Sequence, residues 1–462
     1  MKLYNHRSLL LFIFFLICST LLKAQNKSAG INISLWHPVC TQPRDTFQTT
    51  YLNLGLISQM NNLKGVGINI LSSICTRQAY GMQISGLSNI VGESMKGVQL
   101  AGITNVNGNN SSGFMASGLV NIVGNEVNGA LISGFANISG YDTRGVALSG
   151  LINISGDSSQ GVQLSGISNI NGGDFQGVAA SGLVNVTGKS LSGVQMSSLL
   201  NVTADKMKGA QIAAVSNVGV NVKGIQMSAL TNIAAVEMSG LQLSSAVNIA
   251  YQTKNAIQFA GLTNICLENM HGAQIAMGNY ATQVNGVQIG LLNLCGGEVK
   301  GIQIGLINHS KDTSTIKIGL VNINPSTRIQ MLSYGGNTTK MNIAVRFKGH
   351  LTYSILGIGS HYLGLDDKFS GALFYRAGIY FPLTKRLQIS GDLGYNHIET
   401  FKNETDNIPE RMYAIQARAN LECRLTRKFG IFASGGYGVT RYYDKNRFYE
   451  KKPIVEVGVV LF

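Results

Sequence analysis

Apolar residues recur along this chain in a short pattern that repeats every 16 residues over most of its length. The unit that begins at Gly97 reads Gly-Val-Gln-Leu-Ala-Gly-Ile-Thr-Asn-Val, and its glycine and its asparagine return at the same spacing. A fixed short period is typical of repeat proteins, in which each unit stacks on its neighbour and buries a shared core. With the looser copies included, about seventeen units fill residues 65–325.

Each unit predicts two short strands and a polar turn. Its apolar positions alternate with other residues up to Leu100, break at Ala101-Gly102 and resume at Ile103. A corner at the break keeps Leu100 and Ile103 both inside, whereas a continuous strand would place them on opposite faces. Glycines equivalent to Gly97 and Gly102 are expected to supply positive φ angles at corners. The stacked asparagines are expected to form a ladder of side-chain amides.

Two architectures fit units of this length. A membrane β-barrel with one strand per unit has the right strand length, because barrel strands need about 9–11 residues. Neighbouring barrel strands run in opposite directions, so short turns and long loops would alternate with a period of two units. The connections in residues 65–325 are all similar. The one-unit period therefore favours a parallel β-solenoid, with one large antiparallel barrel as the alternative.

The repeat stops after Pro325, and residues 326–462 contain 20 of the 35 aromatic residues. Long and short connections alternate there, and the last strand alternates up to a terminal Phe462, as in outer-membrane barrels. The pattern predicts an antiparallel β-barrel, with a soluble antiparallel β domain as the alternative. Eight strand-like runs can be marked: Arg328–Tyr334, Met341–Lys348, Leu351–Ser360, Gly371–Phe381, Leu387–Asn396, Met412–Arg424, Phe429–Arg441 and Pro453–Phe462.

The N-terminus has the features of a secretory signal peptide. Lys2 and Arg7 precede an apolar stretch from Leu9 to Leu22, and Ala24 ends a small-residue cleavage site. This stretch of fourteen residues is shorter than the roughly 18–20 that a membrane-spanning helix needs. The predicted domains are a signal peptide (1–24), an N-terminal cap or strands (25–64), the solenoid (65–325) and the barrel-like domain (326–462).

Removal of the signal lowers the net charge from +14 to +11, and an exported basic protein is expected to meet lipid or polysaccharide head groups and no nucleic acid. The five cysteines of the mature chain show no metal-ligand spacing, and Cys266 and Cys295 are expected to be roughly 9–10 Å apart, too far for a disulfide. These cysteines are Cys40, Cys75, Cys266, Cys295 and Cys423.

The sequence predicts no catalytic, cofactor-binding or metal-binding residue. The histidines of the mature chain do not lie at ligand spacing from one another, and the chain has no nucleophile elbow, phosphate loop or paired-carboxylate signature. Turn aspartates fall at different positions in their units, which excludes a calcium-binding repeat. The histidines are His37, His271, His309, His350, His361 and His397.

Units such as Gly286-Val287-Gln288-Ile289-Gly290-Leu291-Leu292-Asn293 resemble those of bacterial surface-repeat proteins with GVQIGLxN units. The resemblance covers about 260 residues and implies a cell-surface or outer-membrane location. It brings no established activity and no catalytic residues, and most units here contain one extra residue, as between Gly161 and Gly166.

Three functions are compatible with the sequence. The expected one is a non-enzymatic structural or adhesive protein of the Gram-negative outer membrane, whose partners are membrane lipid and surface polysaccharide or a host surface. A pore would follow if the repeats were antiparallel strands. A barrel enzyme acting on lipid or glycan, with the solenoid as a spacer, is the third.

Overall fold

The computed structural model describes residues 30–42, 49–312, 315–349, 351–363, 368–403, 411–443 and 448–462. The predicted signal peptide lies outside these residues. The chain divides into two compact units, Met1–Ala235 and Val236–Phe462. The described residues of the first unit form solenoid coils, and those of the second form further coils followed by a closed barrel.

The described solenoid strands are β1 to β28, and neighbouring coils pair in parallel, whereas β1 (Ile31–Trp36) pairs with β2 (Val39–Cys40) in antiparallel fashion. In the first unit, β1 to β19 are Ile31–Trp36, Val39–Cys40, Thr49–Ser85, Ser88–Val91, Met95–Ala101, Thr104–Asn107, Ser111–Ser117, Val120–Val123, Val127–Ser133, Ala136–Ser139, Thr143–Ser149, Ile152–Ser155, Ser159–Ser165, Ser168–Asn171, Phe175–Ser181, Val184–Thr187, Leu191–Ser197, Leu200–Ala213 and Ser216–Ser228. Strand β20, Thr231–Ser244, spans the boundary between the units. In the second unit, β21 to β28 are Val247–Ala260, Thr263–Ile275, Gly278–Ile289, Leu292–Cys295, Val299–Ile304, Ile307–His309, Ile316–Ile318 and Val321–Ile323.

Neighbouring coils pair in parallel and in the register of the sequence repeat. Gly97 lies beside Gly113, and Asn105 lies beside Asn121. The parallel solenoid predicted from the one-unit period is therefore confirmed, and the alternative of one large antiparallel barrel is wrong. The parallel pairing also begins before residue 65, because Ile31 already pairs with Leu52.

The prediction of which residues face inward is wrong. Gln99 and Asn105 have no exposed surface, whereas Ile103 is 41% exposed and Leu100 is partly exposed. The sequence pattern locates the strands correctly but predicts the wrong buried face, because apolar residues are expected to point toward the core. The solenoid core instead contains two groups of buried side chains, amides such as Gln99 and Asn105 and a set of apolar residues. The apolar residues lie close to the polar turn and in the first unit include Met95, Val123 and Val127.

The asparagine ladder is confirmed. In the first unit, Asn105 Nδ2 donates to Asn121 Oδ1 at 2.9 Å, and Asn121 donates in the same way to Asn137 at 2.8 Å. Each asparagine of this kind also donates to a backbone carbonyl of the next coil, as Asn105 does to Ala116 O at 2.8 Å. The ladder asparagines are satisfied by their own copies and by these carbonyls, so their burial carries a small desolvation cost.

The two glycine types have different roles. Gly97 has a φ of 134°, as expected, but it lies inside the strand Met95–Ala101 and not at a corner. The expectation of positive φ at Gly102 is wrong; this glycine is needed because a Cβ would collide with the carbonyl oxygen of Gly86. Where Ala256 replaces the first glycine type, the preceding residue, Asn255, adopts a φ of 53°. The positive φ is therefore found at an asparagine, a residue type that tolerates the left-handed conformation, and not at the alanine.

The eight predicted C-terminal strands are confirmed as a closed antiparallel barrel. Strand β29 pairs with both β30 and β36 and so closes the cylinder. The strands extend further into the connections than the sequence pattern indicated. Strands β29 to β36 are Arg328–Gly336, Met341–Lys348, Thr352–Leu363, Lys368–Pro382, Leu387–Asn403, Arg411–Arg424, Phe429–Tyr442 and Phe448–Leu461.

Candidate functional site

The interior of the barrel holds a cluster of paired charges. Arg376 donates from Nε and Nη2 to the two carboxylate oxygens of Asp392, both at 2.9 Å. Its Nη1 lies 3.4 Å from Glu456 Oε2, and Arg418 Nε lies 3.1 Å from the same oxygen. The side chains of these four residues, which we name the barrel cluster, are at most 2% exposed. Two cations and two anions thus neutralise each other inside the barrel.

A second ion pair lies in the same interior. Arg346 Nη1 is 2.7 Å from Glu422 Oε2, and both side chains are 5% exposed. Arg346 Nε also donates to Gln330 Oε1 at 2.7 Å. Arg346 belongs to β30 and Glu422 to β34, strands that are not neighbours in the barrel, so the pair crosses the interior.

Neutral polar side chains complete the network around the barrel cluster. Tyr353 Oη donates to Asp392 Oδ2 at 2.9 Å, and Asn420 Nδ2 donates to the same oxygen at 2.7 Å. Tyr334 Oη lies 3.3 Å from Arg376 Nη1. Asp392 therefore accepts several hydrogen bonds besides its ion pair, which is what a buried carboxylate needs to remain ionised.

Strand alternation places these residues inside. In β32, Phe374 and Arg376 are buried, whereas Leu373 is 54% and Ile379 is 51% exposed on the other face. The outward face is apolar on other strands as well: Ile329, Met331, Ile358, Leu393, Ile415, Val455 and Val457 are each more than half exposed. The barrel therefore buries charged and polar side chains together with apolar ones such as Phe374, and its outward face is apolar.

Aromatic side chains lie on the exterior near both ends of the barrel. At the end with the longer connections, Tyr395, Tyr413 and Tyr443 form a cluster in which the Tyr413 and Tyr443 ring centroids are 5.1 Å apart. His397 Nδ1 is 2.9 Å from Tyr443 Oη. At the end with the short turns, Phe381 is 54% exposed on the outward face. Such girdles are typical of barrels whose wall faces lipid.

The solenoid coils of the second unit also carry apolar side chains on their outward faces. Leu262, Met277, Leu291 and Leu306 occupy equivalent corner positions and are 54%, 53%, 48% and 47% exposed. These four residues belong to one of four columns of outward-facing side chains. We name the four columns together the apolar ridge, and the column that contains these residues is its crest. The columns are Leu241, Ile257, Ala273, Val287, Ile302 and Ile316; Leu243, Phe259, Ile275, Ile289, Ile304 and Ile318; Ala246, Leu262, Met277, Leu291, Leu306 and Leu320; and Ile249, Ile265, Tyr280, Leu294, His309 and Ile323.

The last coil of the second unit contacts the outside of the barrel. Tyr375 Oη donates to Gly319 O at 2.8 Å, and Ser354 Oγ donates to Leu320 O at 2.8 Å. A groove of about 770 Å³ runs along the ridge up to Tyr375. Apart from the Tyr375 hydroxyl, its lining is glycine and apolar side chains, among them Phe259 and Met277.

The cysteines show no chemistry beyond packing in the described residues. Cys266 and Cys295 are buried free thiols, each beside Ala281 in the stack, as the spacing predicted. Burial raises the pKa of the Cys266 thiol to about 11, and it raises the pKa of Cys295 and, to about 11, that of Cys75. Protonated thiols of this kind are poor nucleophiles and poor metal ligands.

The sequence named no site residues, and the barrel cluster was not foreseen. An arginine or aspartate between apolar neighbours, as in Ala372-Leu373-Phe374-Tyr375-Arg376, was the available signal. The described residues contain no group of three histidine, cysteine or acidic side chains that could hold a metal ion. His350 and the side chain of His361 lie outside the described part of the chain. No described helix is long and apolar enough to cross a membrane.

Comparisons with known proteins give one structural similarity to report. No family model and no curated protein matches this chain. The N-terminal β-barrel domain of Pseudomonas aeruginosa OprF is similar to part of it, at 14% sequence identity and a TM-score of 0.21. The match covers 29% of this chain and 93% of that domain.

Proposed function

We propose that this chain is a non-enzymatic protein of the Gram-negative outer membrane, with the barrel as its membrane anchor. The solenoid coils form a repetitive surface with a structural or adhesive role, toward surface polysaccharide or a host surface. The observation that carries the proposal is the inverted polarity of the barrel, which buries the barrel cluster and exposes Val455, Val457 and Leu393.

Inverted polarity is costly in water and favourable in lipid. Val457 is 61% and Leu393 is 67% exposed, and each would gain transfer free energy in hydrocarbon. The backbone of a closed barrel is fully paired from strand to strand, so no open sheet edge faces the lipid. The strand lengths also suffice, since about 9–11 tilted residues cross a membrane and β34 has 14.

The filled interior favours an anchor over a pore. The Arg346–Glu422 pair and the Arg376–Glu456 contact each join strands on opposite parts of the barrel. Barrels of eight strands have interiors just wide enough to be filled by side chains. Opening a channel would require breaking buried ion pairs, which costs about 3–5 kcal/mol for each partner removed.

The arrangement of the charged groups favours a structural role over an enzymatic one. Asp392, Glu422 and Glu456 are buried carboxylates of the described interior, and each faces an arginine within 3.4 Å. A catalytic carboxylate needs access to its substrate and a pKa near the working pH. Carboxylates that are buried in tight ion pairs lack that access to a substrate.

Membrane insertion is tested by expressing the chain in a Gram-negative host and separating the membranes. The folded protein should float with outer-membrane vesicles, resist extraction by urea and migrate differently on gels with and without boiling. Val457→Arg should prevent assembly, because an arginine in mid-membrane on the lipid face costs about 2–4 kcal/mol. Lys452→Arg, near the start of the same strand, is the matched control. Recovery of the wild-type chain as a folded, water-soluble periplasmic protein would overturn the proposal.

A further inference from the structure

We propose that the apolar ridge of the second unit is itself a lipid-binding surface, immersed in the acyl chains of the leaflet beside the barrel. The inference rests on the proposed function, because it takes the barrel exterior as the reference for the membrane. It makes the solenoid a second membrane-contacting element and not a rod held away from the bilayer. The ligand class is the acyl chain of a membrane lipid.

The first argument is the composition of the ridge. Its four outward columns contain no aspartate, glutamate, lysine or arginine in any of the six described coils, and His309 and Tyr280 are their most polar members. A water-facing strand normally alternates apolar and polar residues, with the polar residues outward. Contiguous exposed apolar surface of this kind marks a protein or membrane contact. Because the pattern persists in every coil, it is a property of the whole face.

The second argument is the contact with the barrel. Tyr375, which donates a hydrogen bond to Gly319 O of the last coil, pairs with Leu356 near the middle of β31 and β32. The ridge therefore meets the barrel wall part of the way up its apolar exterior. Residues at the end of the ridge share the level of the barrel's lipid-facing side chains, so lipid around the barrel also meets the ridge.

The third argument is that the backbone at the crest is satisfied within the protein. Gly290 N donates to Ile304 O at 3.0 Å, and Ile307 N donates to Leu291 O at 2.9 Å. Val321 N donates to Leu306 O at 2.9 Å in the next coil. Unpaired amides are the main obstacle to placing β structure in hydrocarbon. Here, hydrogen bonds between neighbouring coils pair the amides of the crest, although the solenoid sheet is not closed into a barrel.

The opposite edge of the same coils is polar. Glu298 lies in the turn that follows Cys295 and Lys300 lies at the start of β25, and the next turn contains Lys311 and Asp312. One edge of each coil thus suits hydrocarbon and the other suits water or lipid head groups.

Tryptophan quenching by brominated lipids tests the proposal. Trp36 is the only tryptophan, so Trp36→Phe gives a silent full-length background. Leu306→Trp reports on the ridge, Lys300→Trp on the polar edge of the same coil, and Val457→Trp on the barrel exterior. The proteins are refolded into liposomes of phospholipids with or without brominated acyl chains. Unboiled gels confirm that each variant folds, and Leu291→Trp replaces Leu306→Trp if that variant fails.

We expect the Leu306→Trp emission to be shifted to the blue and to lose most of its intensity in brominated lipid. Val457→Trp should behave in the same way, whereas Lys300→Trp should keep nearly all of its intensity. Quenching at Val457→Trp without quenching at Leu306→Trp overturns the ridge proposal and leaves the barrel anchor intact. Absence of quenching at both sites overturns the anchor as well. A blue-shifted Leu306→Trp signal that bromine does not quench shows that a second copy of the chain covers the ridge, which also overturns the proposal.

Discussion

The barrel and the solenoid both bury polar side chains beside apolar ones and expose apolar side chains on the outside, but they satisfy the buried polar groups in different ways. The barrel brings together unlike residues from distant strands, as in the contact of Arg376 with Asp392 and Glu456. The solenoid pairs each amide with its own copy in the next coil, as in the bond from Asn153 to Asn169. Full charges need unique partners, whereas a neutral amide that both donates and accepts can repeat without limit.

The difference predicts its largest effect in the barrel. Arg376→Ala should destabilise it by about 3–5 kcal/mol, because Asp392 and Glu456 lose a buried cation. The free energy of unfolding is measured by urea titration with the unboiled gel shift as the readout. Arg411→Ala removes an exposed pair with Glu399 and should cost no more than about 1 kcal/mol.

The double variant Arg376→Met/Asp392→Leu sharpens this result. It leaves Arg418 and Glu456 as a matched pair and should recover much of the lost stability, since apolar replacements of buried ion pairs are often neutral. If Arg376→Ala unfolds no more easily than Arg411→Ala, the charges do not hold the barrel together and the contrast with the solenoid fails.

In the solenoid, replacing one asparagine of the amide ladder should have a smaller and more local effect. Asn153→Leu removes the acceptor of one Asn137 N–H and the donor to Asn169 Oδ1, at a cost of about 3 kcal/mol for the two buried groups. Hydrogen exchange should accelerate in the neighbouring coils first, because each coil contacts only its neighbours. Asn128→Leu, at an exposed position in the preceding coil, is the control. Uniform loss of protection along the solenoid would contradict the local behaviour.

The backbone of the stack gives a third prediction. Gly193→Ala places a side chain at a φ of 144° and against the carbonyl of Gly177, so we expect a cost of about 1–3 kcal/mol. Gly278→Ala meets no atom closer than 3.7 Å and should change stability by no more than about 0.5 kcal/mol. Limited proteolysis in urea compares the two variants. Equal stability of both variants would show that the strand glycines are not required for stacking.

The smallest effect is expected at a buried lysine in the last coil of the solenoid. Lys317 occupies the position that Gln303 has in the preceding coil, and burial lowers its pKa to about 8. The unfolded chain holds this proton up to about its ordinary value of 10.5, so stability should rise as the pH increases from 8 to 10.5. Urea midpoints measured across this range test the direction of the change.

Replacing this lysine should remove that pH dependence. In Lys317→Gln the new amide can donate to Gln303 Oε1, which has no hydrogen-bond partner among the described residues. We expect a gain of about 1 kcal/mol at neutral pH. Lys311→Gln, on the exposed turn of the same coil, should leave both the stability and its pH dependence unchanged. A stability that falls as the pH rises above 8 in the wild-type chain would contradict the assignment.

The sequence predicted the connectivity of the fold better than its faces. The return of Gly97 and Asn105 at a fixed spacing required parallel stacking, since only that arrangement places each residue beside its copy. The same pattern predicted wrongly that Leu100 and Ile103 are buried. Alternation distinguishes the two faces of a strand but does not indicate which face is exposed. That choice depends on whether water or lipid surrounds the molecule.

The barrel cluster could not be predicted for a different reason. Arg376 and Glu456 are 80 residues apart, and their contact depends on barrel closure and strand register. Alternation alone brings Arg376 to the same face as Phe374, but it does not identify a partner on a distant strand. The eight strands were predictable because each is a local pattern, whereas the ion pairs are a property of the closed cylinder.

The asparagine ladder also has an evolutionary consequence. Its bonds keep their length whether successive asparagines are separated by 16 residues, as at Asn201 and Asn217, by 15, as at Asn264 and Asn279, or by 14, as at Asn279 and Asn293. Gains and losses of residues are absorbed by the turns, outside the ladder. Unequal exchange between repeats in the gene would therefore yield chains with more or fewer coils that still stack. Selection can adjust the number of coils and the chemistry of the turns while the amide core stays the same.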